Sequence, residues 1–152
     1  MKYLKYFESK QKMRYKLMSA IVFAEQMFNK ILINFLNSGY SLNFVDDNNF
    51  TPLTAAAYYD RLDHAKKLLK EGANINYPDG NGNTSLMIAA QSNNFNMIQF
   101  LIESGANWNI NNIDDEDFIN QLDDQYLEIV IEDYPDKYEN YLDWKNAKKY
   151  NL

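Results

Sequence analysis

The chain has 152 residues, of which 46% are hydrophobic, 24% charged and 15% aromatic, the composition of one folded domain with room for a core and not of a disordered tail. It holds no cysteine and one histidine, which excludes a disulfide framework, a thiolate zinc site, a cysteine nucleophile and any two-histidine metal motif. A formal charge of −6 makes the whole molecule repel phosphate backbones and anionic membranes, so no direct nucleic-acid or membrane partner is expected.

Residues 1–17 read as a basic helical leader, with Tyr3, Leu4 and Phe7 on an apolar stripe. Six basic side chains against Glu8 give residues 1–20 a charge of +5. Tyr3-Leu4-Lys5-Tyr6-Phe7-Glu8 is charged where a signal peptide needs its apolar core, and the stretch from Leu17 to Ala24 starts late and runs into Glu25 and Gln26. No apolar run approaches the roughly 20 residues of a membrane helix. The expected location is the cytoplasm, or the host cytosol if the chain is viral.

From residue 18 onward the sequence repeats. A shift of 33 residues lays Thr51-Pro52-Leu53 on Thr84-Ser85-Leu86, Ala56-Ala57 on Ala89-Ala90, Leu68-Leu69 on Leu101-Ile102, and Gly72-Ala73-Asn74-Ile75-Asn76 on Gly105-Ala106-Asn107-Trp108-Asn109. Phe35-Leu36 and Gly39-Tyr40-Ser41-Leu42-Asn43 stand one period earlier. Thr51 and Thr84 are placed to cap helices, with Pro52 at a first helical position where its missing N–H costs nothing. The alanines let neighbouring helix pairs approach, the leucines and isoleucines fill the layers between them, and Gly72 and Gly105 follow a second helix where a left-handed cap wants glycine.

These residues resemble the ankyrin repeat. Asp79-Gly80-Asn81-Gly82-Asn83-Thr84-Ser85-Leu86 carries the family's turn and first-helix start, and Asp46-Asp47-Asn48-Asn49-Phe50-Thr51-Pro52-Leu53 carries it with Asn49 in place of glycine. The resemblance implies an all-α fold: a solenoid of helix–turn–helix units with β-turn tips, about four repeats including degenerate caps, and a C-terminal helix. The expected division is a leader (1–17), an N-terminal capping repeat (18–45), two full repeats (46–78 and 79–111), a degenerate C-terminal capping repeat (112–134) and a terminal helix (135–152). In the first of these repeats Met18-Ser19-Ala20 takes the Thr-Pro-Leu slot and Val22, Phe23 and Ala24 take the alanine slots. In the degenerate repeat Asp117-Phe118-Ile119 takes the first slot and Asp123 falls on a buried alanine.

No constellation for catalysis emerges, and neither a metal nor a cofactor is expected. His64, the only imidazole, lies in a second helix with no nucleophile beside it and reads as a packed helix residue. Gly80-Asn81-Gly82 lacks the lysine of a phosphate loop. Residues 114–136 hold ten acidic and no basic side chains, but Asp114, Asp115, Glu116 and Asp117 are consecutive, without the spacing of a calcium loop.

Two surfaces remain as candidates. Partners of ankyrin-like arrays usually bind the concave groove made by the turn tips and first helices. Carried onto this chain, the groove comprises Asp47, Asn48 and Phe50, then Gly80, Asn81 and Asn83, then Ile113, Asp114 and Glu116 at the tips. Tyr58, Tyr59, Gln91 and Ser92 fall at the helix ends, and Phe50, Tyr58 and Tyr59 are the expected anchors. The second surface is an acidic face of Asp123, Asp124, Glu128, Glu132, Asp133 and Asp136 with Tyr126 and Tyr134, suited to a basic protein surface. Tyr138, Tyr141 and Trp144 stand beside it, partly as cover for the last repeat.

The function expected is non-catalytic protein binding by an inhibitor or adaptor, monomeric or weakly self-associating. By analogy it would be a toxin-neutralising immunity protein or a viral or phage antagonist of a basic enzyme. The alternative is a structural protein assembling head to tail through its basic start and its acidic end, where residues 112–152 carry −8. A carboxylate hydrolase ranks last, because no pocket is signalled.

Overall fold

The computed structural model describes residues 2–24 and 26–150, with the side chains of residues 2–5 and of Tyr150 left undescribed. Of the expected leader stripe, Tyr3 and Leu4 thus fall outside the described side chains, and Phe7 is exposed. Among the described residues there are eight α-helices and no strand: α1 Lys2–Phe23, α2 Phe28–Asn37, α3 Pro52–Tyr58, α4 Leu62–Lys70, α5 Ser85–Gln91, α6 Phe95–Glu103, α7 Asp124–Asp133 and α8 Pro135–Tyr150. The chain is an all-helical solenoid. The end of α1 with α3 and α5 forms one layer, each helix packed on the next, and α2, α4 and α6 lie behind as their antiparallel partners.

The tips show why the 33-residue period exists. In each tip a backbone hairpin closes from residue 46 to 50, 79 to 83 or 112 to 116, as Asp46 N–H donates to Phe50 O at 2.8 Å, Asp79 N–H to Asn83 O at 2.9 Å and Asn112 N–H to Glu116 O at 2.8 Å. One side-chain oxygen at the first position accepts two further N–H groups. Asp46 takes those of Asn48 and Phe50, Asp79 those of Asn81 and Asn83, and Asn112 those of Asp114 and Glu116, all at 2.8–3.0 Å. The fourth position is left-handed in all three tips, at Asn49 (φ 68°), Gly82 (φ 82°) and Asp115 (φ 62°). Asparagine therefore does replace glycine, as short polar side chains can in this region.

Asparagine also rivets one repeat to the next. Asn43 Oδ1 accepts the Asn74 N–H at 2.8 Å, and one period on Asn76 Oδ1 accepts the Asn107 N–H at 2.9 Å. Behind them, Leu68, Leu86, Ile98, Leu101 and Ile102 are fully buried. Thr51 and Thr54 form a reciprocal capping box at the start of α3, and Thr84 caps α5 from its hydroxyl.

The two ends depart from this pattern in opposite ways. At the start, α1 runs unbroken for 22 residues, against 7 in α3 and in α5, so at 1.5 Å per residue it is longer by about 22 Å. At the other end the third inner helix shrinks to a single 3-10 turn, Ile119–Gln121. Asp117 and Asn120 still exchange the side-chain-to-backbone bonds of a capping box, at 3.2 and 3.1 Å. The chain then leaves the repeat geometry, and Asp123, expected on a buried alanine, is an exposed residue preceding α7. A carboxylate has no partner in that apolar slot, so the helix ends before reaching it.

Helix α8 closes the stack. Lys137 donates to Ile102 O at the end of α6 (2.9 Å), Lys145 pairs with the fully buried Asp117 (2.6 Å) and donates to Asn120 (3.1 Å), and Lys148 pairs with Asp115. Burial pulls the Lys145 pKa down, but its hydrogen bonds to Asp117 and Tyr141 outweigh that and hold it above the usual lysine range. Burial is also the main reason that the Tyr141 phenol stands above the usual tyrosine range. Raised pKa values contribute stability that is complete below the unfolded values and lost as pH rises through the folded ones. The melting temperature is therefore expected to hold to about pH 9 and to fall above about pH 10, with a smaller fall in Tyr141→Phe. A Tyr141→Phe variant that loses as much as wild type in alkaline melts would contradict this.

Candidate functional site

A cleft of about 970 Å³ opens at the start of the solenoid, between α1 on one side and the first tip with α3 on the other. Tyr15, Val22 and Phe23 of α1 face Asp47, Phe50 and Tyr58 across it. Its aromatic side chains are held against each other: Phe50 and Tyr58 have centroids 5.3 Å apart, and Tyr58 meets Tyr59 edge-on at 5.0 Å. Tyr58 is 51% and Phe23 85% exposed. Isolated surface aromatics are ordinary, whereas several converging on one concavity form an apolar patch of the kind that interfaces cover.

The expected anchors Phe50, Tyr58 and Tyr59 are thus brought together, with Asp47 and Asn48 on the rim. Asn81, Gln91, Ile113, Asp114 and Glu116 are exposed further along the array, and Ser92 is half-buried. Asn83 is a correction: it is buried, and its Oδ1 accepts from Asn112 Nδ2 at 2.9 Å, tying the second tip to the third. It holds two tips together from a buried position. Gly80 is exposed, but its N–H donates to Asn49 O at 2.8 Å and a Cβ there would stand 2.4 Å from the Asn49 side-chain oxygen, so the turn requires glycine.

The sequence shows a basic leader helix but not that its Lys12, Arg14 and Tyr15, with Phe23, line this cleft. The reason is a register slip. Asn94 donates to Ala57 O near the end of α3, and the matching Arg61 donates to Val22 O near the end of α1. Val22 therefore corresponds to Ala57 and Phe23 to Tyr58, a spacing of 35 and not 33. Phe23, expected in a buried alanine slot, is an exposed aromatic at the same place as Tyr58.

At the far end Asp123, Asp124, Glu128, Glu132, Asp133 and Asp136 are all exposed, and Asp124, Glu128 and Glu132 follow one another at the four-residue spacing of a single helix face. The aromatics beside them are engaged in covering the stack. Tyr126 lies flat on Phe95 at 5.3 Å, Tyr134 meets Trp108 edge-on at 6.4 Å, and Tyr141 is buried with its hydroxyl donating to Asp117. The acidic face keeps its charge, but its two tyrosines are half-buried.

His64 is 4% exposed and stacks on Phe28 at 4.0 Å. Among the described residues no group of three His, Cys, Asp or Glu side chains could hold a metal ion, and no helix is long and apolar enough to cross a membrane.

Paired helices in two layers, hairpin tips at fixed spacing and a concave face define a helical-repeat protein. The chain belongs to the ankyrin-repeat family, whose model matches residues 17–112 as three copies. No curated protein matches it. Ankyrin repeats generally mediate protein–protein interaction and are typically non-catalytic.

Proposed function

We propose that this chain acts as an inhibitor or adaptor that seats one partner protein in the cleft between α1 and α3. The observation that carries the reading is the convergence on one concavity of exposed aromatics from two helices and the half-buried Phe50 of a tip. Aromatic side chains supply large contact area for little lost rotamer freedom, and hot spots favour them. The backbone beneath them is fixed by caps and tip hydrogen bonds, so little ordering cost is left for binding. The acidic stripe of α7 has exposed charge but no free aromatic pair; it acts at longer range, steering a basic surface of the partner and speeding encounter. The repeat division read from the sequence is part of this proposal, with residues 2–17 extending the first repeat's own helix.

The test is affinity capture from the source lysate with wild type, Tyr58→Ala/Tyr59→Ala, and Glu128→Gln/Glu132→Gln/Asp133→Asn. The tyrosine variant is expected to lose the captured partner, by about thirty-fold or more in affinity. The acidic variant should keep it, with slower association at low salt. Retention by the tyrosine variant and loss from the acidic one would overturn the reading.

A further inference from the structure

One wall of the cleft is not built by the repeat. Gln11, Lys12, Arg14 and Tyr15 belong to the part of α1 that runs past the repeat's own helix start, and they line the cleft opposite the first tip. Arg14 is the unusual member. Its guanidinium lies over the buried Phe44 ring, 4.6 Å from the centroid. Among the described residues its buried Nε has no hydrogen-bond partner, and none of the ion pairs includes it.

The carboxylates nearby do not serve it. Asp46 accepts the Asn48 and Phe50 N–H groups and so is committed to the tip, and Asp47 is exposed on the opposite rim. A guanidinium laid on an aromatic face is held in one plane, is weakly hydrated, and presents its N–H fork in the geometry of a carboxylate. Lys12, exposed on the same wall, adds positive charge beside it.

We propose that the cleft takes an acidic, aromatic-anchored segment of the partner protein: an Asp or Glu side chain bound by the fork of Arg14 beside Lys12, with a neighbouring large apolar side chain on Tyr58 and Tyr59. This rests on the cleft being the docking site and specifies the chemistry of what it holds. A basic surface elsewhere on the same partner is compatible, because the acidic stripe of α7 belongs to the opposite end of the solenoid.

The experiment pans a random peptide library displayed on phage against the full chain. Recovered peptides, with both termini blocked, are then titrated by fluorescence anisotropy into wild type, Arg14→Gln, Arg14→Lys, Lys12→Gln and Tyr58→Ala/Tyr59→Ala, each checked for an unchanged circular dichroism spectrum. The expected peptides carry Asp or Glu within one helical turn of an aromatic residue or leucine. Affinity should fall about ten-fold in Arg14→Gln and by a similar factor when the peptide acid becomes its amide, with no further loss when both changes are combined. Arg14→Lys keeps the charge but loses the fork and should recover only part of the affinity.

Peptides without acids, or acidic peptides that bind Arg14→Gln as well as wild type, would overturn the proposal. So would recovery of no peptide above background. If Tyr58→Ala/Tyr59→Ala loses a peptide that Arg14→Gln keeps, the acid preference falls and the cleft reading stands; if neither loses it, both fall. Concentration-dependent dimers in sedimentation velocity, abolished by Arg14→Gln, would assign the cleft to a second copy's acidic helix and overturn the external partner.

Discussion

Phe118→Ala is expected to destabilise the end of the solenoid by about 3–5 kcal/mol, the range for removing a large buried aromatic side chain. Phe118 is fully buried and meets Trp108 edge-on at 5.3 Å, directly beneath the segment where the third inner helix is reduced to one turn. Repeat arrays are stabilised by intrinsic and nearest-neighbour terms, so the loss should be local. Hydrogen exchange is expected to quicken across α7 and α8 first, with α3 and α4 changed least. Uniform acceleration across all helices would show that the end is not an independent unit, and a loss under 1 kcal/mol would show that the site collapses onto itself.

Lys145→Met should cost about 2–3 kcal/mol. Removing one member of a buried ion pair leaves the other charge uncompensated, which in fully buried pairs costs about 3–5 kcal/mol. The value here is lower for two reasons. The Lys145 side chain is 40% exposed while Asp117 is at 0%, so water can partly take its place. Asp117 also keeps the Asn120 N–H and the Tyr141 hydroxyl. Adding Asp117→Asn to Lys145→Met should recover part of the loss, because the amide carries no buried charge. A double variant less stable than the sum of the singles would contradict this pairing as the latch that holds α8.

The repeat was legible because its signals are local. Thr51, Thr84, Gly72, Gly105 and the tip residues Asp46 and Asp79 are each demanded by one turn or cap, so they recur at fixed spacing and reveal the family without any knowledge of contacts. The places of Phe50 at a tip and of Tyr58 and Tyr59 at the end of α3 followed from that register. What failed depended on distance. The slip that exposes Phe23 goes with a longer connection between α1 and α2 than between α3 and α4, and the Arg61 and Asn94 hydrogen bonds reveal it. Asn83 looked like its exposed neighbours, yet a partner 29 residues away buries it. Nor does local pattern show that three of the four lysines of α8, Lys137, Lys145 and Lys148, have partners 35, 28 and 33 residues back. The structure also gives Asn43, Asn49, Asn76 and Asn112 specific backbone work that composition alone does not show.

The central claim is that the partner is held between α1 and α3. Hydrogen–deuterium exchange of the free chain and of its complex with the captured partner tests it most directly, since both surfaces are read in one experiment. Protection confined to residues 11–23 and 46–59, with α7 exchanging as in the free chain, is the predicted result. Protection over residues 123–136 with the α1 and α3 segments unchanged would contradict it and make the acidic face the contact.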